Sequence, residues 1–487
     1  MTHSGHRVGG AIARVRTADK AQISALARYV PYWFVCLVLF AFSALQIVLN
    51  PFGFSDLTQR YTQDVADLLI EGPYLYPTTG RDAVSVALLD DATLSAMGMP
   101  WPWSYGAQAR VLDALLAYHP RAVVVDFLFV DPRNDPTLKE LIDEIARYHA
   151  AHVPLYFEGE PNPPPGEQPL RKELAATGVR VLDPTIPVNQ GVARQYLSQG
   201  LCFAGQGRQC RSLAISVYND LNRARQVPPL AGMMELVWGT RTNPINAKWM
   251  RASDDSGAAH ACDERDAMSG IKRIYLAFFD ASAVHSLCPY TGVIPVEALA
   301  SGVPDRDIDL LARGRIVFYG ASLQGAQDKS FTPVNGLLAN VFVHAMALDN
   351  LISFHGRPQQ NVVTIRALSF DGNTIQLLAI VPVILVLAWF HVRRLRSGRK
   401  KRERGATFEY LFDRAAESLW HGAAFALGLA AGVALMLAAD LSVANWVAVA
   451  FISVEIAALL LVGLPEALWG YLHHVAGGVP RKPGERK

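Results

Sequence analysis

VSVALLDDATLSAMGMPWPWSYGAQARVLDALLAYHPRAVVV, residues 84–125, holds a strand, a helix and a second strand in succession. Val84 to Leu89 is a short apolar run of the kind that forms a strand buried on both faces. Val111, Leu112, Leu115, Leu116 and Tyr118 then recur at helical spacing until Pro120, whose ring cannot continue a helix; Ala122 to Val125 opens the next strand. Leu138, Leu141, Ile142, Ile145 and Tyr148 share one helical face, and Val153 to Phe157 and Val179 to Leu182 read as further strands. Far along the chain, Arg315 to Tyr319 (RIVFY) opens a late strand and Val341 to Leu348 starts a helix. This alternation predicts an α/β fold: a parallel or mostly parallel sheet with helices on both faces and right-handed crossovers.

Two segments break the pattern. Glu158 to Gln168 (EGEPNPPPGEQ) reads as a solvated, extended surface loop without core-forming side chains. Residues 190–280, rich in Gly, Asn and Arg and with one clear strand at Arg273 to Phe279, read as an elaborated insertion pinned by cysteines.

The 487 residues are 51% hydrophobic but only 18% charged, below the quarter or so of soluble domains, and the mean hydropathy is +0.17. Part of the chain is therefore expected to face lipid. With 45 Lys+Arg against 43 Asp+Glu, the net charge of +2 provides no global polycation for nucleic acid. Four stretches have the apolar character of membrane helices: 31–49, 375–390, 421–439 and 441–464. Arg7, Arg14, Arg16, Lys20 and Arg28 precede the first, Arg393, Arg394, Arg396, Arg399, Lys400, Lys401, Arg402 and Arg404 follow the second, and Arg481, Lys482, Arg486 and Lys487 follow the last. Basic residues stay on the cytoplasmic side, which predicts a consistent layout. Residues 1–30, the basic loop 391–420 and the tail 465–487 are cytoplasmic, and 50–374 form a large periplasmic or extracellular domain between one helix and three. The first span reads as an uncleaved signal anchor. The 393–404 cluster reads as a topology determinant touching anionic lipid, not a nucleic-acid patch, and Phe408 to Trp420 as an interfacial amphipathic helix. Glu455, inside the last span with Asn445 nearby, is either a functional carboxylate or a helix-packing hydrogen bond.

Cys36 falls in the first span, leaving Cys202, Cys210, Cys262 and Cys288 outside, where disulfides persist. Of the three connectivities, the local pairing Cys202 with Cys210 and Cys262 with Cys288 is preferred. The spacings have no CxxC pair and no close His, so no metal site is expected from them.

Ligands of open α/β sheets gather beyond the carboxyl ends of the strands. There the sequence places Asp90 and Asp91 after the first strand, Asp126 at the second, and Gly320, Ser322 and Asp328 after the late one. These aspartates either cap helices and fix loops or form a cluster that binds a cation or shifts the members' pKa values. Trp101 and Trp103, in MPWPW, serve as a rigid staple over the core or as a stacking platform. His344, on an apolar helical face, reads as a hydrogen-bonded core histidine ahead of a ligand. There is no GxSxG, P-loop, HExxH or strand-linked GxGxxG, so neither an enzyme nor a cofactor is expected.

The stretches 86–129 (VALLDDATLSAMGMPWPWSYGAQARVLDALLAYHPRAVVVDFLF) and 315–353 (RIVFYGASLQGAQDKSFTPVNGLLANVFVHAMALDNLIS) resemble the type-two CHASE domain, an extracellular sensor of bacterial cyclases and histidine kinases. The resemblance covers the strand, double acid, tryptophan pair, helix and strand ending in Asp, then the closing strand with Gly, a following Asp, Thr-Pro and a His-Ala helix. Ser104 and Tyr105 stand where the family commonly has Arg, and Asn340 near a usual Gly. The resemblance implies a membrane-anchored extracytoplasmic sensor in the bacterial inner membrane. Residues 465–487 are too few for an attached output domain, so a separate cytoplasmic or membrane signalling partner is expected, and sensors of this kind imply a homodimer. The alternative class is a structural subunit of an envelope assembly; a third, weaker one is a metal-dependent hydrolase using Asp90, Asp91, Asp126 and Asp328.

Overall fold

The computed structural model describes residues 67–371, with breaks at 131–132, 162, 164–167, 188–191, 201–210, 231, 254–258, 263–287, 326–327, 361 and 366–367, and positions 37, 40, 41, 44, 45, 381 and 385. The chain divides into two compact units. One takes in Met1–Arg60, Phe370–Ala438 and Asn445–Lys487; the other is Tyr61–Ser369 with Ala439–Ala444. In the first unit, the few described residues of 31–49 and 375–390 are helical. The rest of those two stretches, 421–439 and 441–464, the basic loop and tail, Asn445 and Glu455 lie outside the described residues. Among the described residues no helix is long and apolar enough to cross a membrane.

Between residues 84 and 371 the strands are β1 Val84–Asp90, β2 Ala122–Val125, β3 Leu155–Glu158, β4 Arg180–Leu182, β5 Gln195–Tyr196, β6 Met234–Glu235, β7 Arg251–Ser253, β8 Ala259–Ala261, β9 Gly292–Pro295, β10 Ile316–Ser322, β11 Lys329–Thr332, β12 Gly336–Ala339, β13 Val362–Ile365 and β14 Leu368–Asp371. The helices are α1 Asp91–Met97, α2 Tyr105–Ala117, α3 Leu138–Ala150, α4 Lys172–Ala175, α5 Leu213–Leu221, α6 Asn246–Trp249, α7 Val296–Ala300, α8 Arg306–Ala312 and α9 Asn340–Ser353, preceded by a π-helical segment, Asp67–Leu75. Six strands form one sheet in the order β4-β3-β2-β10-β1-β9, and every neighbouring pair in it is parallel. The late strand β10 is thus seated between β1 and β2, and the strand order reverses at the centre of the sheet. That is the position where open α/β sheets form a crevice at their carboxyl edge.

Side chains alternate faces along a strand. Val84, Val86 and Leu88 of β1, Val124 of β2, Tyr156 of β3 and Ile316 and Phe318 of β10 join one core with α5 and α9. Ala87 and Leu89, Val123 and Val125, Leu155 and Phe157, and Val317 and Tyr319 join the other, with α2, α3, α7 and α8. Both faces are therefore apolar and covered, which is why these strands read as continuous hydrophobic runs instead of alternating ones. Each fully buried Val, Leu, Ile or Phe contributes roughly 1.5–3 kcal/mol of burial free energy.

The stretch read as an insertion feeds the first core: Ala193, Tyr196, Leu213, Ala214, Ile215, Val217 and Trp238 are all buried in it. Arg273 to Phe279 lies outside the described residues. Cys262 and Cys288 form the expected disulfide, with 5.4 Å between Cα atoms; Cys202 and Cys210 lie outside the described residues. The loop expected from Glu158 starts one residue later, because Glu158 ends β3 and is buried.

Candidate functional site

The sheet register builds the site. Phe318 of β10, Val124 of β2 and Tyr156 of β3 are Cα partners in one row on the α5/α9 face. Two residues further along each strand, on the same face by alternation, stand Gly320, Asp126 and Glu158. Asp126 N–H still donates to Tyr319 O, at 2.8 Å, so the ladder extends to this row. Gly320 is required by closeness: a Cβ there would lie 2.8 Å from Asp126 Oδ2 and 2.8 Å from the Val341 side chain of α9. The missing side chain brings α9 down onto the carboxylate row.

From α9, His344 completes a buried triad. Donor atoms of Asp126, Glu158 and His344 all lie within 4.8 Å of one another, a grouping of the described residues that is close enough to hold a metal ion. His344 Nε2 is 3.6 Å from Glu158 Oε1, and Nδ1 shares a 2.6 Å hydrogen bond with the Tyr196 hydroxyl of β5. Burial holds the His344 pKa down to about 3, against a smaller upward pull from Asp183, so the imidazole is neutral. Burial and mutual repulsion push Glu158 well above the usual carboxylate range, and burial pushes Asp126 up as well. The charge of Asp328 raises both. Two facing buried carboxylates cannot both ionise cheaply. A hydrogen bond between the two carboxyls raises Glu158 further and partly offsets the rise of Asp126; Asp126 Oδ2 and Glu158 Oε1 have no partner outside the pair.

The other sequence candidates sit around this triad in different roles. Asp90 is the N-cap of α1, accepting from Thr93 N and Oγ1, both at 2.8 Å. Asp91 Oδ2 accepts from Gln324 N at 2.9 Å and pins the turn after β10. Ser322, the Cα partner of Asp90, ends β10. Asp328 is exposed and accepts from Asn340 Nδ2 at 2.6 Å, marking the solvent side of the cluster. Trp103 is buried in the core with its indole N–H on Met99 O, whereas Trp101 is partly exposed and packs on Phe127 with ring centroids 5.5 Å apart. Sequence reading missed Glu158 and Tyr196. The first was legible: LYFE repeats the VVVD pattern of β2, an apolar strand ending on an acid.

One and a half turns along α9 from His344, a second buried cluster ties the helix to the start of the domain. Tyr76 O–H donates to Asp349 Oδ1 at 2.5 Å, Ser353 Oγ donates to the same oxygen at 3.0 Å, and Asn350 Nδ2 donates to the Tyr76 oxygen at 3.0 Å. Burial raises the Asp349 pKa to about 7. Tyr76 immediately follows the π-helical segment Asp67–Leu75.

A family profile described as the CHASE2 domain matches residues 33–386. No curated protein and no solved structure matches the chain.

Proposed function

The chain belongs to the CHASE2 domain family, and on that premise we propose that it is a membrane-anchored extracytoplasmic sensor that passes a periplasmic event to a separate cytoplasmic or membrane partner. One observation carries the reading. Helix α9 bears both His344, in the triad at the carboxyl edge of the sheet, and Asp349 and Asn350, which grip Tyr76 at the end of the segment leading into the domain. A change in charge or packing at the triad shifts α9, and α9 is held by hydrogen bonds to the chain that follows the 31–49 stretch. A second packed position of this helix, favoured by a change at the triad, would be the physical basis for a population shift. The basic 391–420 segment, with Phe408 to Trp420 beside it, supplies the surface for the partner and for anionic lipid.

Affinity purification of the full-length protein from detergent-solubilised membranes is expected to retain a signalling protein, and deletion of 393–404 to release it. Recovery of the intact chain free of any cytoplasmic protein across several growth conditions contradicts the reading.

A further inference from the structure

We propose that Asp126, Glu158 and His344 bind one divalent first-row transition-metal ion, with zinc as the reference case, at the carboxyl edge of the sheet. The donors come from three rigid places: the ends of β2 and β3, fixed in one sheet row, and the buried face of α9. Ligand atoms lie roughly 2.0–2.2 Å from such an ion, so neighbouring donors stand about 3–3.5 Å apart around it. The separations here, 3.6 Å between His344 Nε2 and Glu158 Oε1 and at most 4.8 Å within the triad, close to that by small side-chain rotations.

In the absence of an ion the two buried carboxyls share one hydrogen bond between them, with Glu158 the protonated partner, and Asp126 Oδ2 and Glu158 Oε1 accept from no other group. A dication takes the place of that shared proton, and two carboxylates with an imidazole around it sum to zero buried charge. The imidazole is also oriented for ligation: Tyr196 holds Nδ1 and leaves Nε2 facing Glu158, the outer-shell arrangement that fixes a metal-binding histidine. One nitrogen among hard oxygens suits zinc, manganese, iron or cobalt and disfavours magnesium and calcium, which take oxygen ligands. Three protein ligands leave a coordination position for water or a further ligand. The inference concerns the folded domain whether or not it signals, so a negative result leaves the sensor reading standing.

The test uses full-length protein in detergent, stripped with chelator and titrated with zinc alone. One equivalent is expected to bind and to raise the melting temperature, with at least a hundredfold loss of affinity in Asp126→Asn, Glu158→Gln and His344→Gln and none in Asp91→Asn. Magnesium at the same concentrations is expected not to compete. Should the variants fail to fold, pulsed electron paramagnetic resonance of the manganese-loaded wild type is expected to show coupling to one imidazole nitrogen. Absence of stoichiometric uptake overturns the proposal. So does uptake unchanged in a cooperatively folded Asp126→Asn, Glu158→Gln double variant, effective competition by magnesium, or a manganese spectrum without nitrogen coupling.

Discussion

Trp238→Ala is expected to destabilise the protein by about 3–5 kcal/mol, the range for removing a buried large aromatic. Trp238 is 1% exposed, and its indole N–H donates to Ala193 O at 3.1 Å. Its neighbour Val237 is clasped by Asn350 of α9, whose Oδ1 accepts from Val237 N at 2.9 Å while Nδ2 donates to Val237 O at 3.0 Å. Truncating the indole opens a cavity in the core shared by α5, α9 and the sheet and strands the Ala193 carbonyl. For a unit of this size the loss corresponds to a melting temperature roughly 5–15 °C lower, measurable by circular dichroism of the full chain in detergent. A loss under about 1 kcal/mol, the size typical of peripheral positions, would mean that 190–280 is an appendage and not part of the core.

Asp349→Asn is expected to change how stability depends on pH. The carboxyl has an ordinary pKa of 3.8 when the chain is unfolded and about 7 in the fold. Between these values the folded protein holds a proton that the unfolded chain has released. The contribution is therefore fully present below about pH 4, falls as pH rises, and is completely lost above about pH 7. The slope is about 1.4 kcal/mol per pH unit. Other groups act in the same range: neutral His344 disfavours the fold as pH drops below its unfolded pKa, while Asp126 and Glu158 act in the same sense as Asp349. The difference between wild type and variant isolates Asp349. Relative to wild type, the asparagine variant is expected to gain about 3 kcal/mol on going from pH 5 to pH 8, with chelator present throughout. A wild-type-to-variant difference that is the same at both pH values would show that Asp349 is ionised in the fold.

Much of the sheet was legible because burial on both faces leaves a plain signature. VSVALL, AVVV and RIVFY are short apolar runs bounded by turn residues, and each forms a parallel strand in nearly the expected place. The seating of β10 between β1 and β2 was not legible, since local periodicity says nothing about which strands pair across such long stretches of chain, Val84 with Ile316 and Ala122 with Ile316. The part played by Ala193 to Trp238 was hidden for another reason: β5 and β6 are two residues each, too short to show a period. At the site, Asp126, Gly320 and His344 were found from strand ends and a helical face. Glu158 was lost because ending β3 at Phe157 moves the carboxylate from a buried row into a loop. Asp90 and Asp91 share the same edge but turn to local work, one capping α1 and the other holding Gln324. Sequence position alone cannot separate a capping aspartate from a clustered one, because both follow a strand.

The sensor reading requires the sheet domain to lie outside the cytosol, and labelling of one exposed side chain reports its side of the membrane. Val303, between α7 and α8, is 64% exposed. In intact spheroplasts, Val303→Cys is expected to react with a membrane-impermeant maleimide beyond the level set by the native cysteines. Reaction that appears only after the membrane is opened would place the domain on the cytoplasmic side and exclude an extracytoplasmic sensor.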